Sequence, residues 1–289
     1  MTTPPDDPAI VSPDAGQIDL HAHTTASDGT ATPERFVAAA VAAGLSAVAV
    51  TDHDTVASVA EVARLAAPHG LRVVAGVELS VHDGAGKEVH LLGLHLADLD
   101  LVHDTLAGVR DARVHRAAEI VRRLNALGVA LSMDAVLAEA AGGAVGRPHI
   151  ARALVKAGHV AALQPAFERW LGTGKPAYVE KQRLSIEDGI ALIREAGGIS
   201  VYAHPGADGT RERIEPLAAI GMDGVEVRHP SHGAADIKRI KSVVAALGLV
   251  PSGGSDWHGA SEGPRQLGCM QVNPAWLDRQ LERIASRVA

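Results

Sequence analysis

Two histidines one residue apart follow a short apolar run in QIDLHAHTTASDGT (17–30), and a carboxylate, Asp28, comes five residues later. Side chains on an extended backbone alternate between faces, so His21 and His23 share a side, as two ligands of one ion must. Asp256-x-His258, inside GGSDWHG, repeats the spacing near the other end of the chain. Either pair alone reads equally well as a polar loop rich in histidine. Between them, however, come Thr51-Asp52-His53-Asp54, Glu78, His90, Ala203-His204-Pro205 and Arg228-His229-Pro230, each on or just beyond an apolar run. The recurrence favours a metal site. His21, His23, Asp28, His53, Glu78, His90, His204, Asp256 and His258 offer imidazole and carboxylate without thiolate, a set that suits Zn²⁺, Mn²⁺ or Fe²⁺ and does not choose among them. They exceed the needs of one ion and suffice for two or three divalent ions if a carboxylate bridges, Glu78 being the expected bridge. Clustered cations bring a bound water towards a neutral pKa and neutralise phosphoryl oxygens, which is the chemistry of phosphoester hydrolysis. The histidines at 69, 82, 95, 103, 115 and 159 fall on helices or turns and read as solvated or satisfied side chains.

Such a site needs elements that carry every ligand to one rim. QIDL (17–20), SAVAV (46–50), RVVAGV (72–77), EVHLLGL (88–94), ISVYA (199–203), GVEVR (224–228) and GLVPS (248–252) read as strands, the fourth as a hairpin partner of the third across HDGAGK. Helices alternate with them: one opens at Thr32 with Pro33 in its first turn, and others are expected near 55–68, 185–198, 232–247 and from about 274. This rhythm implies a mostly parallel α/β sheet. Seven strands wound one way suggest an irregular (β/α) barrel, with a doubly wound open sheet as the alternative. In a parallel barrel the chemistry sits at the carboxyl ends of the strands, where these residues fall. From about Leu99 to Arg183 the alternation gives way to helices alone, one of them capped by Ser132. The expected organisation is a loose tail over 1–16, a barrel from 17–98 and 184–289, and an inserted helical cap at 99–183.

Composition narrows the function. The chain has 289 residues, 47% hydrophobic but with few aromatics, so the core must be built from Ala, Val, Leu and Ile. One cysteine, Cys269, excludes a disulfide framework and cysteine-based zinc or iron–sulfur sites, and fits a reducing, cytoplasmic setting. The first sixteen residues have neither the apolar run nor the basic start of a targeting segment, and no stretch is long and apolar enough to span a bilayer. A net charge of −7 argues against a general nucleic-acid coat. The average conceals a basic segment: between Gly108 and Arg183 twelve Lys and Arg face six Asp and Glu, a net +6, which leaves −13 on the rest. That segment is where an anionic ligand would bind.

HAHTTASDGT, VAVTDHDT, Glu78 with His90, AHPG and GGSDWHG, in that order, resemble the motifs of the PHP (polymerase and histidinol phosphatase) family. The resemblance runs from about Asp19 to Gly259 and implies a distorted (β/α)₇ barrel with a trinuclear metal site. It places His21, His23, Glu78 and Asp256 on one ion, Glu78, His90 and His204 on a second, and Asp28, His53 and His258 on a third. The insert, with GRPHIARALV (146–155) and LGTGKPAYV (171–179), looks like the branch that dephosphorylates nucleoside 3′,5′-bisphosphates, whose relatives trim short RNA from the 5′ end. The substrate contacts this implies are Arg147, His149 and Lys175; Arg228, Lys181 and Arg183 are further basic candidates. Glu78, Asp256 and His229 are the expected catalytic groups. His229 and His232 would meet substrate phosphate, or His229 would protonate the leaving oxygen. Asp52 and Asp54 either orient His53 or cap a helix, and Tyr178, Trp257 and Phe167 are candidates to hold one base. The scarcity of aromatics favours small nucleotides or short oligomers over long RNA. The expected partner is thus a small nucleotide, with no membrane and no obligate protein partner. Two alternatives stand beside this: a phosphatase for another metabolite such as histidinol phosphate, and a non-catalytic module stabilised by metal.

Overall fold

The structure is a computed structural model that describes residues 16–84, 86–181 and 184–287. The expected tail therefore lies, apart from Gly16, outside the described residues, as does Arg183. Eight strands form one sheet: β1 (Gln17–Asp19), β2 (Leu45–Val50), β3 (Arg72–His82), β4 (Glu88–Leu94), β5 (Leu184–Ser185), β6 (Ile199–Tyr202), β7 (Gly224–Arg228) and β8 (Val250–Gly253). Their order is β1-β2-β3-β4-β6-β7-β8, with β5 paired to β3 off this path. β1, β2 and β3 run parallel, as do β6, β7 and β8. β4 is antiparallel to both neighbours, and the short connection from β3 leaves room only for a hairpin on that side. In that turn Gly86 N–H donates to Asp83 O (2.8 Å).

The two ends of the sheet meet. Leu20 N–H donates to Gly253 O (3.1 Å), and just beyond, Asp256 N–H reaches His21 O and His23 N–H reaches Trp257 O, both at 2.8 Å. The chain termini of the sheet are thereby stitched together at the rim that carries HxH and DxH.

β3 runs five residues further than its sequence pattern suggested. Leu79 and Val81 keep the buried apolar alternation going past Glu78, and this extension pairs with β4 (Ser80 opposite His90) and with β5. Two-residue β5 carries no periodicity from which to read it. One set of inward residues, among them Ile18, Ala47, Val74, Leu92, Val201 and Val250, packs with Leu277 of the last helix. The opposite parity, including Val48, Val50, Leu79, Leu91, Val225 and Val227, packs against the surrounding helices. Thr32 and Ser185 start two of those helices by accepting from Arg35 N and Asp188 N, and Ser132 starts a helix between β4 and β5 by accepting from Ala135 N.

Between β4 and β5 the described chain is helical: Leu99–Thr105, Ala107–Ala126, Met133–Ala140, Arg147–Lys156, Leu163–Ala166 and the wide turn Phe167–Leu171. Val102 and Leu106 belong to the core beneath the sheet, whereas Ile120, Leu124, Val136, Ile150, Leu154 and Leu171 form a separate cluster. The segment thus starts as part of the main body and acquires its own core about midway along Ala107–Ala126. No helix among the described residues is long and apolar enough to cross a membrane.

Candidate metal centre

Glu78 sits fully buried in β3 at the centre of a ring of imidazoles. Its Oε2 lies 3.2 Å from His21 Nε2, His23 Nε2 and His53 Nδ1, and its Oε1 lies 2.8 Å from His90 Nδ1 and 3.1 Å from His204 Nε2. Asp256 Oδ1 faces the same nitrogens of His21 and His23 at 3.4 and 3.1 Å. On the far side of His23, His258 Nε2 stands 3.2 Å from Asp28 Oδ1. Three sets of potential ligand atoms result: His21, His23, Glu78 and Asp256; His23, Asp28, His53 and His258; and His53, Glu78 and His90. His204 reaches Glu78 but stands outside these sets, and the His23 and His53 rings each serve two of them. All nine ligands expected from the sequence are brought to one rim.

The chemistry of the donors fits a group of divalent ions. His21 Nε2, both ring nitrogens of His23, His53 Nδ1, His90 Nδ1 and Asp28 Oδ1 are buried with no hydrogen-bond partner. Their neighbours nevertheless stand at 2.8–3.4 Å. Atoms bound about 2.1 Å from a shared ion lie about 3.0–3.4 Å from one another, so the spacing is that of a coordination shell. Burial alone would raise the carboxyl pKa values, but His53, His90 and His21 hold Glu78 well below its usual range. His53 and His258 do the same for Asp28, and His21 with His229 for Asp256. The carboxylates stay ionised and available as ligands.

A second layer fixes the first. Fully buried Glu226, on β7, accepts from His21 Nδ1 (3.1 Å) and from the His204 backbone N–H (2.7 Å), which orients the His21 ring with Nε2 towards the centre. His258 donates Nδ1–H to Asp256 O (2.9 Å) with the same effect on its Nε2. Asp52 accepts from Thr24 N, Thr24 Oγ1 and Ser27 Oγ, each at 2.7 Å, and so ties down the loop that bears Asp28. Asp19 accepts from the backbone of His21, Ser255 and Gly268. Sequence reasoning missed Glu226 and Asp19; the available signal was a lone carboxylate inside an apolar strand. Three non-glycine residues just beyond strands turn through the left-handed region, Asp54 (φ 52°), His204 (φ 30°) and Asp256 (φ 51°), which aims their side chains over the rim. Glu226→Gln is expected to reduce metal affinity roughly 10- to 100-fold, because the tautomer and orientation of His21 lose their anchor. Competition against a chelating dye measures this, and unchanged affinity would mean that Glu226 is only a packing residue.

The expected substrate contacts divide. Arg147 begins a helix beside the centre, lines the cavity there and lies over the Phe167 and Tyr178 rings at 5.9 and 5.7 Å. His149 is buried, with Nδ1 accepting from Gly146 N–H (2.9 Å) and a further bond to the Ser27 backbone, so it braces the Asp28 loop instead of facing an anion. His232 is likewise engaged, Nδ1 with Val227 O (3.0 Å) and Nε2 with Gly206 N–H (3.1 Å). Arg228 turns away to donate to Met270 O, and Lys175 stands exposed on a turn. Trp257 packs on Phe36 in the core, which removes it as a platform for a base. His229 accepts at Nδ1 from Ser231 N–H (3.1 Å), leaving Nε2–H directed at Asp256 Oδ2 (3.3 Å). Arg265, not singled out in the sequence, pairs with the same oxygen. Asp54, weighed as a helix cap, instead receives Ser80 N–H and the side chains of Arg113 and Lys181.

A family model described as "PHP domain" matches residues 19–180. The chain is 36% identical over 277 residues to a 3′,5′-nucleoside bisphosphate phosphatase of Chromobacterium violaceum, covering 92% of this chain and 96% of that one. It is 34% identical to the 5′-3′ exoribonuclease Rnm of Escherichia coli, over 83% and 84% of the two chains. Among solved structures, an amidohydrolase from Chromobacterium violaceum holding sulfate and no metal superposes with a TM-score of 0.81, at 33% identity over 93% of this chain and 96% of that one.

Proposed function

Because the chain belongs to the PHP domain family, a family of phosphoester hydrolases, we propose that it hydrolyses a phosphate monoester of small nucleotides in the cytoplasm. The reading takes nucleoside 3′,5′-bisphosphates as substrates, with release of the 3′ phosphate to leave a 5′ monophosphate, and extends to short 5′-phosphorylated oligoribonucleotides. One observation carries it: buried, unpartnered imidazole nitrogens converge with Glu78, Asp28 and Asp256 beside a cavity walled by arginines. The relatives named for nucleotide and RNA substrates support the same class.

His21, His23, Glu78 and Asp256 would hold one divalent ion, His23, Asp28, His53 and His258 another, and Glu78 with His53 and His90 a third, with His204 beside Glu78; Mn²⁺, Fe²⁺ and Zn²⁺ all suit these donors. Bound ions supply a water that ionises near neutral pH and positive charge opposite the phosphoryl oxygens. The chain's own residues do the rest. Glu78 shares its two oxygens between neighbouring positions, and Glu226 sets the His21 ring. His229 and Arg265 grip one oxygen of Asp256 and leave the other facing His21 and His23. A wider cavity of about 340 Å³ adjoins His90 and His204, lined by Val89, Tyr202 and Pro205, and is in the range that takes a nucleoside.

Purified protein is expected to release inorganic phosphate from adenosine 3′,5′-bisphosphate in the presence of Mn²⁺, to stop after chelation and to resume on adding Mn²⁺ back. Undiminished turnover by protein that elemental analysis shows to be free of metal would remove this function.

A further inference from the structure

Residues 25–28, which carry Asp28, form a thin wall between two cavities. Ser27 and Asp28 line the small cavity at the metal centre, about 140 Å³. Thr25 and Ala26 line a second, about 520 Å³, that opens between Ser58 and Glu61 of the main body and Arg110 and Val114 of the insert. With a cavity at each face, the loop depends on its backbone bonds for its place. The main body supplies some of them: Asp52 holds Thr24 and the Ser27 hydroxyl, and Thr25 N–H donates to Ala31 O (2.9 Å). The insert supplies the others. Ala144 N–H donates to Ala26 O (2.8 Å), buried His149 bonds the Ser27 backbone, and Arg152 Nη1–H donates to Asp28 O (3.2 Å). Gly143 packs on the same run: a Cβ there would stand 2.5 Å from Thr25 O and 2.8 Å from Ala26 O, so only glycine allows the approach. Four consecutive loop residues thus rest on one short stretch of the insert, 143–152. Asp28 is also the one carboxylate in the set it forms with His23, His53 and His258, which loses its only anion if the loop shifts. The set of His21, His23, Glu78 and Asp256 leans elsewhere, on Glu226 behind His21 and His229 beside Asp256, both in the main body.

Resting on the phosphoesterase reading above, we propose that the insert governs one metal position and leaves another alone: the position of His23, Asp28, His53 and His258 binds its ion tightly only while residues 143–152 are docked on the Asp28 loop. Gly143 and Arg152 are then positioning residues, which touch neither ion nor substrate and act through Asp28. Coupling of this kind is reciprocal, so an ion at that position also holds the insert down. Movement of the insert thereby converts a fully loaded centre into a partly loaded one.

The test counts ions. Wild-type protein, Arg152→Ala, Arg152→Lys and Gly143→Ala are loaded with Mn²⁺, desalted and analysed for bound metal. Arg152→Ala and Gly143→Ala should each retain about one equivalent less than wild type and bind that last Mn²⁺ roughly 10- to 100-fold more weakly, as when an outer partner of a ligand is removed. Arg152→Lys, which still donates to a carbonyl, should recover part of the loss. Saturating Mn²⁺ should return phosphate release to near the wild-type rate, at a higher half-saturating concentration. Hydrogen exchange reads the clamp without any ion: in chelated protein the amides of 24–29 should exchange faster in Arg152→Ala than in wild type. Mn²⁺ added to wild type should in turn slow exchange over 143–152. Wild-type metal content and affinity in both Arg152→Ala and Gly143→Ala would overturn the proposal, and so would a parallel loss of every ion, the mark of a loosened fold. Unchanged exchange over 24–29 in Arg152→Ala rejects the clamp whatever the metal content. Protein that holds its ions yet releases no phosphate would remove the phosphoesterase reading alone, and the ion count would still decide the clamp. Wild-type protein that retains no divalent ion would bring down the metal centre and this proposal together.

Discussion

Glu78→Gln is expected to lower metal affinity by more than about 100-fold, beyond the range seen when only an outer partner of a ligand is lost. Its two oxygens are the shared neighbours of five imidazole nitrogens, so one neutralised carboxylate weakens every position at once. An amide also brings N–H donors to a place where His21, His23 and His53 already turn lone pairs inwards. Phosphate release should fall with metal content, and adding excess Mn²⁺ should restore little of it. Elemental analysis after desalting, beside a circular dichroism spectrum to show an intact fold, measures the effect. Full metal occupancy in this variant would mean that Glu78 is not the centre of the site.

Asp54→Asn should produce the largest loss of stability, about 3–5 kcal/mol, because it strands two buried cations. Asp54 is almost fully buried, and both Arg113 and Lys181 converge on its Oδ2. Their charge holds the Asp54 carboxyl well below its usual range in spite of burial. The same contact joins the main sheet to the first long helix of the insert and to the end of that segment, so denaturant midpoints followed at both parts should fall together. Adding Arg113→Met and Lys181→Met to the variant removes the uncompensated charges and should recover much of the loss. An unchanged midpoint for Asp54→Asn alone would show that the triad lies open to water.

The residues gathered at the rim were legible because strand alternation and the carboxyl-end rule act on residue type and spacing alone. His-x-His and Asp-x-His could not serve one rim unless the ends of the sheet met, and Leu20 and Gly253 make that junction. The partition among ions was less legible, since His23 and His53 each touch two groups and only three-dimensional distances divide them. Substrate-facing residues were the least readable. His149 and His232 lie in suggestive motifs, yet backbone partners consume their ring nitrogens. Conversely, Arg110, Arg113 and Arg116 recur every third residue and so share a helical face. That face was a readable clue to the cationic wall, but nothing in the spacing says that Asp54 waits beneath Arg113.

His204 holds its imidazole towards Glu78 only by keeping a backbone bend that a side chain with a Cβ resists and glycine adopts freely, a difference of about 1 kcal/mol. The molecule therefore carries a small built-in conflict between endurance and work. Evolution in the laboratory that rewards survival of heating alone would drift towards glycine at this position and return sturdier, inert descendants, so any such campaign must score phosphate release in every round.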